Sequence, residues 1–213
     1  MTELTPDPQL GSVVILGAGR QAVETTGYCQ RLGLAVTGYI EEFATGDHSG
    51  LAAPVIMFDD AGAWASQPAL TAVGTAEVRR RFVDAWHGNQ FLTIVDPTAW
   101  LSDDATVGEG TTISPGALLN RFVDVGRHAL VNTGAILCHD VVVGDFATVG
   151  PGCNIGGVSR VGDGAFIGIG ATLSDRVSVG RNAVVGAGAV VIEDVADGVT
   201  VVGVPARPIR RAA

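Results

Sequence analysis

The sequence contains no lysine; all 13 of its basic residues are arginine. Without an ε-amine there is no lysine Schiff-base chemistry and no phosphate loop of the Gly-Lys-Ser/Thr kind. Aromatic residues supply only 6% of the 213-residue chain, charged residues 16%, and cysteine occurs three times. Cys29, Cys138 and Cys153 are too few and too odd in number for a disulfide framework, so they read as reduced thiols. No apolar run approaches a membrane span, and residues 1–11 lack a signal-peptide pattern. These absences lead to the expectation of a cytoplasmic protein. Positive charge is also short: a net charge of −9 argues against a general nucleic-acid or membrane-surface role. Small anions remain possible ligands, since a few arginines or backbone N–H groups suffice for them.

Glycine, by contrast, is abundant at 30 residues, about double the usual share of roughly 7%. There is no Gly-X-Y period to suggest collagen, and a 47% hydrophobic content argues against disorder. The excess belongs to a repeat. Stepping by six from Val107 gives Val107, Ile113, Leu119, Val125, Val131, Leu137, Val143 and Val149. The steps continue as Ile155, Val161, Ile167, Leu173, Val179, Val185 and Val191, fifteen aliphatic residues without an insertion. Four residues after them stand small residues such as Ala117, Ala129, Ala135 and Ala147, and glycine often follows directly, as at Gly108, Gly126 and Gly144. A helical period of 3.6 would scatter these positions, whereas a period of six means short strands joined by tight turns in a parallel β-helix. The aliphatics point inward, and glycine is expected to permit the turn dihedrals. Three hexapeptides close one coil, so residues 18 apart stack.

Residues 12–95 read as a small parallel α/β domain. Strands are expected at Val13–Leu16, Ala35–Ile40, Pro54–Phe58, Leu70–Gly74 and Phe91–Val95. Helices are expected from the turn after the first strand to Leu32 and from Ala76 to about Trp86. Gly17-Ala18-Gly19-Arg20-Gln21-Ala22 fits a nucleotide-binding turn, and Glu41-Glu42 follow at about the distance that motif expects. Glycine lets the backbone approach a phosphate whose charge the helix N-terminus favours; a tight strand-to-helix turn with no ligand is the alternative. About 85 residues provide only half of a dinucleotide fold, which disfavours an NAD-dependent enzyme. The join is expected at Asp96-Pro97, dividing the chain into 1–96 and 97–213, with the coil entered near Leu101. A basic tail of Arg207, Arg210 and Arg211 closes the sequence.

Further motifs are Val131-Asn132-Thr133-Gly134-Ala135, Cys138-His139-Asp140, Val143-Gly144-Asp145-Phe146, Ala165-Phe166-Ile167-Gly168 and Gly203-Val204-Pro205-Ala206-Arg207. With the Gly17–Gly19 turn, they make the chain resemble the sialic-acid O-acetyltransferase family of hexapeptide-repeat acyltransferases. That family includes bacterial N-acetyltransferases of nucleotide-linked 4-amino sugars. The resemblance implies a left-handed β-helix, a homotrimer, and acetyl-CoA lying between neighbouring β-helices. It implies His139 as general base toward the sugar amine, with Asp140 holding the ring; an imidazole suits this because its ordinary pKa of about 6.5 lies near neutrality. It assigns Asn132, Thr148, Ile169 and Ala187 to the coenzyme, with Gly168 and Gly186 letting the pantetheine pass close to the backbone. For the nucleotide sugar it points to Gly19, Arg20, Gln21, Glu41, Glu42 and Gly74. The 18-residue rule adds Gly157, one coil above His139, as an expected oxyanion donor.

The function expected is therefore acetyl transfer from acetyl-CoA to a nucleotide-linked amino sugar. The alternatives are O-acetylation at the same site, or a binding protein that has lost the reaction. A γ-class carbonic anhydrase would need three zinc-ligating histidines, and the repeat holds only His128 and His139, so no metal is expected. His48, His87 and His128 read as surface residues, and Cys138 as a packing residue.

Overall fold

A computed structural model describes residues 11–42, 48–88 and 90–209. Arg210 and Arg211, and all but the last of residues 1–11, lie outside the described residues. The N-terminal domain runs β1 (Ser12–Leu16), α1 (Arg20–Arg31), β2 (Ala35–Glu41), β3 (Val55–Met57), a 3₁₀ segment (Phe58–Trp64), β4 (Ala69–Thr71) and α2 (Ala76–Ala85). The four strands are parallel in the order β3-β2-β1-β4. β1 is central, and its apolar run is buried on both faces, as an interior parallel strand requires. Val13 and Ile15 pack with Tyr28 and Cys29 of α1, whereas Val14 and Leu16 pack with Phe82 of α2 and with Trp86.

The expected fifth strand divides. Phe91 makes a single parallel bridge to Ala69, while Ile94–Val95 pairs with Thr112–Ile113 in the β-helix. Ile94 belongs to the core of the α/β domain and Val95 packs against the core of the β-helix. Successive strand residues face opposite sides, so one dipeptide serves both cores. The coil thus begins before Leu101, and Val95 and Leu101 extend the period of six by two rungs below Val107.

The rest is a left-handed β-helix of three sheets with five, eight and six strands, all parallel except the last strand of the eight. Its hexapeptide strands are two residues long and pair 18 apart, as in Val125↔Val143 and Leu137↔Ile155. Fully burying each aliphatic contributes about 1.5–3 kcal/mol. The small position is equally interior: Ala117, Ala135, Ala165 and Ala183 are completely buried.

Glycine works differently from the expectation. Those directly after the aliphatic do not need an unusual dihedral; they allow coils to touch. A Cβ on Gly168 would stand 2.7 Å from the backbone N of Ala187 in the next coil. The left-handed residues stand two positions later, at φ of 52–71° in the series from Gly110 to Gly188. Near the C-terminus the spacing tightens to 16, with Val184 pairing to Thr200. The chain then folds back, and Arg207–Pro208 pairs antiparallel with Val201–Val202 over the last coil.

Candidate active site

The left-handed turn residues sort onto three edges of the triangular coil. One edge carries Gly110, His128, Phe146, Gly164 and Asn182; a second carries Gly116, Gly134, Gly152, Gly170 and Gly188; the third carries Phe122, Asp140, Val158 and Arg176. The first is where the α/β domain docks. The second is all glycine, and a Cβ on any of its glycines would meet nothing within 4 Å. The third holds the candidate base.

On that third edge His139 Nδ1 lies 2.8 Å from Asp140 Oδ2, with side chains 63% and 51% exposed. Asp140 sits at φ 58°, a conformation that aspartate tolerates better than most residues. With a proton on Nδ1 donated to the carboxylate, Nε2 keeps its lone pair and can accept a proton from a substrate. Gly157 stands over the ring as the 18-residue rule expects, and a Cβ there would be 2.7 Å from Nε2.

The expected oxyanion role of Gly157 meets a competitor: its N–H donates to Asp175 Oδ1 at 2.8 Å. The same cap recurs where Arg127 N–H donates to Asp145 and Asp145 N–H donates to Asp163, each 18 residues on. Applying the 18-residue rule once more, from Gly157 to Asp175, would have found it. What Gly157 supplies is room for the imidazole.

The expected coenzyme residues do not all face a ligand. Thr148 is buried; its Oγ1 accepts a bond from Arg79 at 3.1 Å and donates to Gly74 O at 3.3 Å, so the docking of α2 removes it from the surface. Asn132 spends its amide N–H on Val149 O at 3.0 Å. Gly168 is buried against the next coil, and a Cβ on Gly186 would strike Val202 at 2.7 Å. Both glycines therefore have internal reasons to lack a side chain. Ile169 and Ala187 are exposed, stacked one coil apart beside the all-glycine edge.

All six expected nucleotide-sugar residues line one cleft of about 410 Å³: Gly19, Arg20, Gln21, Glu41, Glu42 and Gly74. It opens at the C-terminal ends of β1, β2 and β4, where the strand order reverses from β2-β1 to β1-β4. Open parallel sheets bind ligands at such a switch point. Gly17 has φ 117°, and a Cβ there would be 2.8 Å from Ala72 O, so only glycine allows this approach. Gly19 precedes α1 with no side-chain cap, and a helix N-terminus favours an anion.

Sequence reasoning missed the opposite wall, formed by Val78, Arg81 and Phe82 of α2. Their i, i+3, i+4 spacing on one helix face was the available signal. Arg81 Nη2 meets Glu42 Oε2 at 2.8 Å, and His48 Nε2 meets Glu41 Oε2 at 2.8 Å. Beyond this wall a second cavity of about 820 Å³ shares Glu42, Arg81 and Phe82 and adds Phe58, Asp59, Trp86 and His87.

His128 is not a surface residue. It is buried, stacked on Phe146 at 5.0 Å and edge-on to Phe91 at 4.7 Å, beneath the docked α/β domain. Burial, against the pull of Glu109, holds its pKa below the ordinary histidine value. Among the described residues no group of three or more histidine, cysteine or carboxylate side chains could hold a metal, and no helix is long and apolar enough to cross a membrane.

A model of the bacterial transferase hexapeptide (six repeats) matches residues 159–193. No curated protein matches the chain. Among solved structures it is similar to a histidine-to-alanine mutant of GDP-perosamine N-acetyltransferase from Caulobacter crescentus, in complex with CoA and GDP-perosamine. The identity is 29% and the TM-score 0.86, over 95% of this chain and 98% of the other. The acetyltransferase domain of PglB from Neisseria gonorrhoeae is 27% identical with a TM-score of 0.84, over 93% and 100% of the two chains; it has also been solved with acetyl coenzyme A. WeeI from Acinetobacter baumannii is 27% identical with a TM-score of 0.82, over 92% and 99%.

Proposed function

We propose that this hexapeptide-repeat transferase moves an acetyl group from acetyl-CoA to the amine of a nucleotide-linked amino sugar, with His139 as general base. The amine nitrogen attacks the thioester carbonyl while Nε2 of His139 takes its proton. The tetrahedral intermediate then collapses, the carbon–sulfur bond breaks, and the imidazolium returns the proton to the departing thiolate of CoA. Asp140 fixes the tautomer and stabilises the charged ring, while the proton transfer to His139 is worth about 10²–10⁴-fold. No acyl-enzyme is needed, and half-buried Cys138 takes no part.

The observation that carries the reading is the distribution of groups over three edges. The exposed His139–Asp140 pair, the all-glycine edge beside Ile169 and Ala187, and the docked nucleotide cleft face three different directions. One chain alone cannot bring them together, whereas three copies around an axis can, each lending its histidine edge to a neighbour. A homotrimer with acetyl-CoA between adjacent β-helices satisfies that requirement. The likeness to N-acetyltransferases crystallised with CoA and GDP-perosamine supports the choice of an amine acceptor.

The test is acetyl transfer from acetyl-CoA to a panel of nucleotide-linked sugars carrying either a free amine or only hydroxyls. Acetylation of the amines, abolished in His139→Ala while the oligomer survives, is the expected result. Activity on hydroxyl acceptors alone, or a wild-type rate in the mutant, would refute the acceptor or the base respectively.

A further inference from the structure

Arg79 on α2 is fully buried, and no carboxylate pairs with it among the described residues. Its guanidinium is surrounded by neutral oxygens from both parts of the molecule. Nη1 donates to Val73 O at 2.7 Å and Gly74 O at 3.1 Å, which belong to the wall of the nucleotide cleft. Nε donates to His128 O at 2.8 Å. Nη2 donates to Phe146 O at 2.5 Å, Ala147 O at 3.2 Å and Thr148 Oγ1 at 3.1 Å. His128 and Phe146 are successive turns of the docking edge, 18 residues apart, and His139 lies on the winding between them.

A buried charge is a poor adhesive, because desolvation offsets much of what its contacts return, and a well-packed apolar side chain often serves as well. This interface already has such packing in Phe91, His128 and Phe146, with Arg80 lying 4.5 Å above the Phe146 ring. A planar fork adds direction, since all its acceptors must keep their places to be satisfied together. Burial lowers the pKa of Arg79 to about 10, so the fork remains charged at neutral pH.

We propose that Arg79 is a positioning residue for acyl transfer, fixing the Val73–Gly74 wall of the nucleotide cleft against the two coils that carry His139. The proposal rests on the function proposed above. The cleft and the histidine stand on different edges, so their relation in the assembly depends on how rigidly each α/β domain sits on its own β-helix. Displacing a reacting group by about 1 Å costs on the order of 100-fold in rate.

Arg79→Lys keeps the charge but cannot span the same acceptors. It is expected to lower kcat about 100-fold, leaving the KM for acetyl-CoA and the affinity for the nucleoside diphosphate without its sugar close to wild type. Arg80→Ala is the control: it removes the contact with Phe146 without touching the cleft carbonyls, and is expected to lower Tm but not kcat. Equal effects of the two variants on kcat at equal loss of Tm would overturn the proposal. Should Arg79→Lys not fold, Thr148→Val deletes one acceptor and keeps the arginine; it is expected to lower kcat about tenfold, and a wild-type kcat there is equally fatal. If the wild type acetylates no amino sugar, the proposed function fails, and hydrogen exchange across residues 73–75 still reads the clamp. Faster exchange in Arg79→Lys but not in Arg80→Ala upholds it; unchanged exchange in both refutes it.

Discussion

Gly157→Ala separates a glycine that makes room from a glycine that donates its N–H. The backbone there is not left-handed, so alanine fits without conformational strain. The new methyl would stand 2.7 Å from Nε2 of His139, 2.9 Å from Cε1 and 3.3 Å from Cδ2. Ordinary contact begins near 3.4 Å, so the ring must retreat by roughly 0.7 Å, within the displacement that makes reacting geometry fail. The imidazole is 63% exposed and free to swing outward, so stability should change by less than about 1 kcal/mol. Activity should fall by about 10- to 100-fold, equivalent to about 1.4–2.7 kcal/mol of transition-state stabilisation. Alanine keeps the N–H and its bond to Asp175, so a loss of activity cannot come from a missing donor. The assay is kcat/KM for acetyl transfer beside Tm and the oligomeric state. A mutant with wild-type kcat/KM would refute the steric role.

Val158 is β-branched, 42% exposed, and held at φ 63°, a conformation that costs a non-glycine residue about 1–3 kcal/mol. Val158→Gly should raise Tm by a few degrees, and a fall on thermal denaturation would contradict the strain. His128 has a folded pKa below its ordinary value of 6.5 because of burial, so the unfolded chain binds the proton more readily. Stability should therefore fall as pH drops below about 6.5; His128→Phe, an aromatic that Phe146 shows is accepted at the equivalent turn, should flatten that slope in denaturant titrations. Burial raises the pKa of Asp96, but bonds from Thr98 and Arg31 outweigh it and hold it below 3.8. The stability it supplies is present above pH 3.8 and lost as pH falls through the folded value. Asp96→Asn should thus be less stable than wild type at pH 7, with the gap closing in acid; a gap independent of pH would exclude the ionic contribution.

The sequence made the β-helix legible because its core is one-dimensional: each inward residue touches copies of itself six and 18 positions away. The same regularity placed Gly157 over His139. The cleft at the ends of β1, β2 and β4 was readable through its turn, since Gly17, Glu41 and their neighbours are set by strand ends within one short domain. What escaped depended on the docking of that domain. His128 stands at a turn where side chains usually face water, and Arg79 stands on a helix rich in arginine. Neither local pattern announces burial, because the groups that cover them come from other parts of the chain. Thr148 was misread for the same reason. The two classes of glycine were indistinguishable by composition; only the approach of the next coil separates contact glycines from turn glycines.

A stack of coils has two ends, and each end of a parallel ladder is a template for another chain. The fold-back of Arg207–Pro208 onto Val201–Val202 presents an antiparallel strand where a further coil would have to add in parallel, and the shortened last turn breaks the 18-residue register that a second molecule would need to continue. At the other end the first rung, Ile94–Val95, grows directly out of the α/β domain, and Arg31 of α1 binds the buried Asp96 that follows it. One of the three sheets is therefore closed at both ends, while the other two begin at Trp100–Leu101 and Thr106–Val107. The length of the closed sheet is set not by the repeat, which carries no instruction to stop, but by the two pieces of chain that do not obey it.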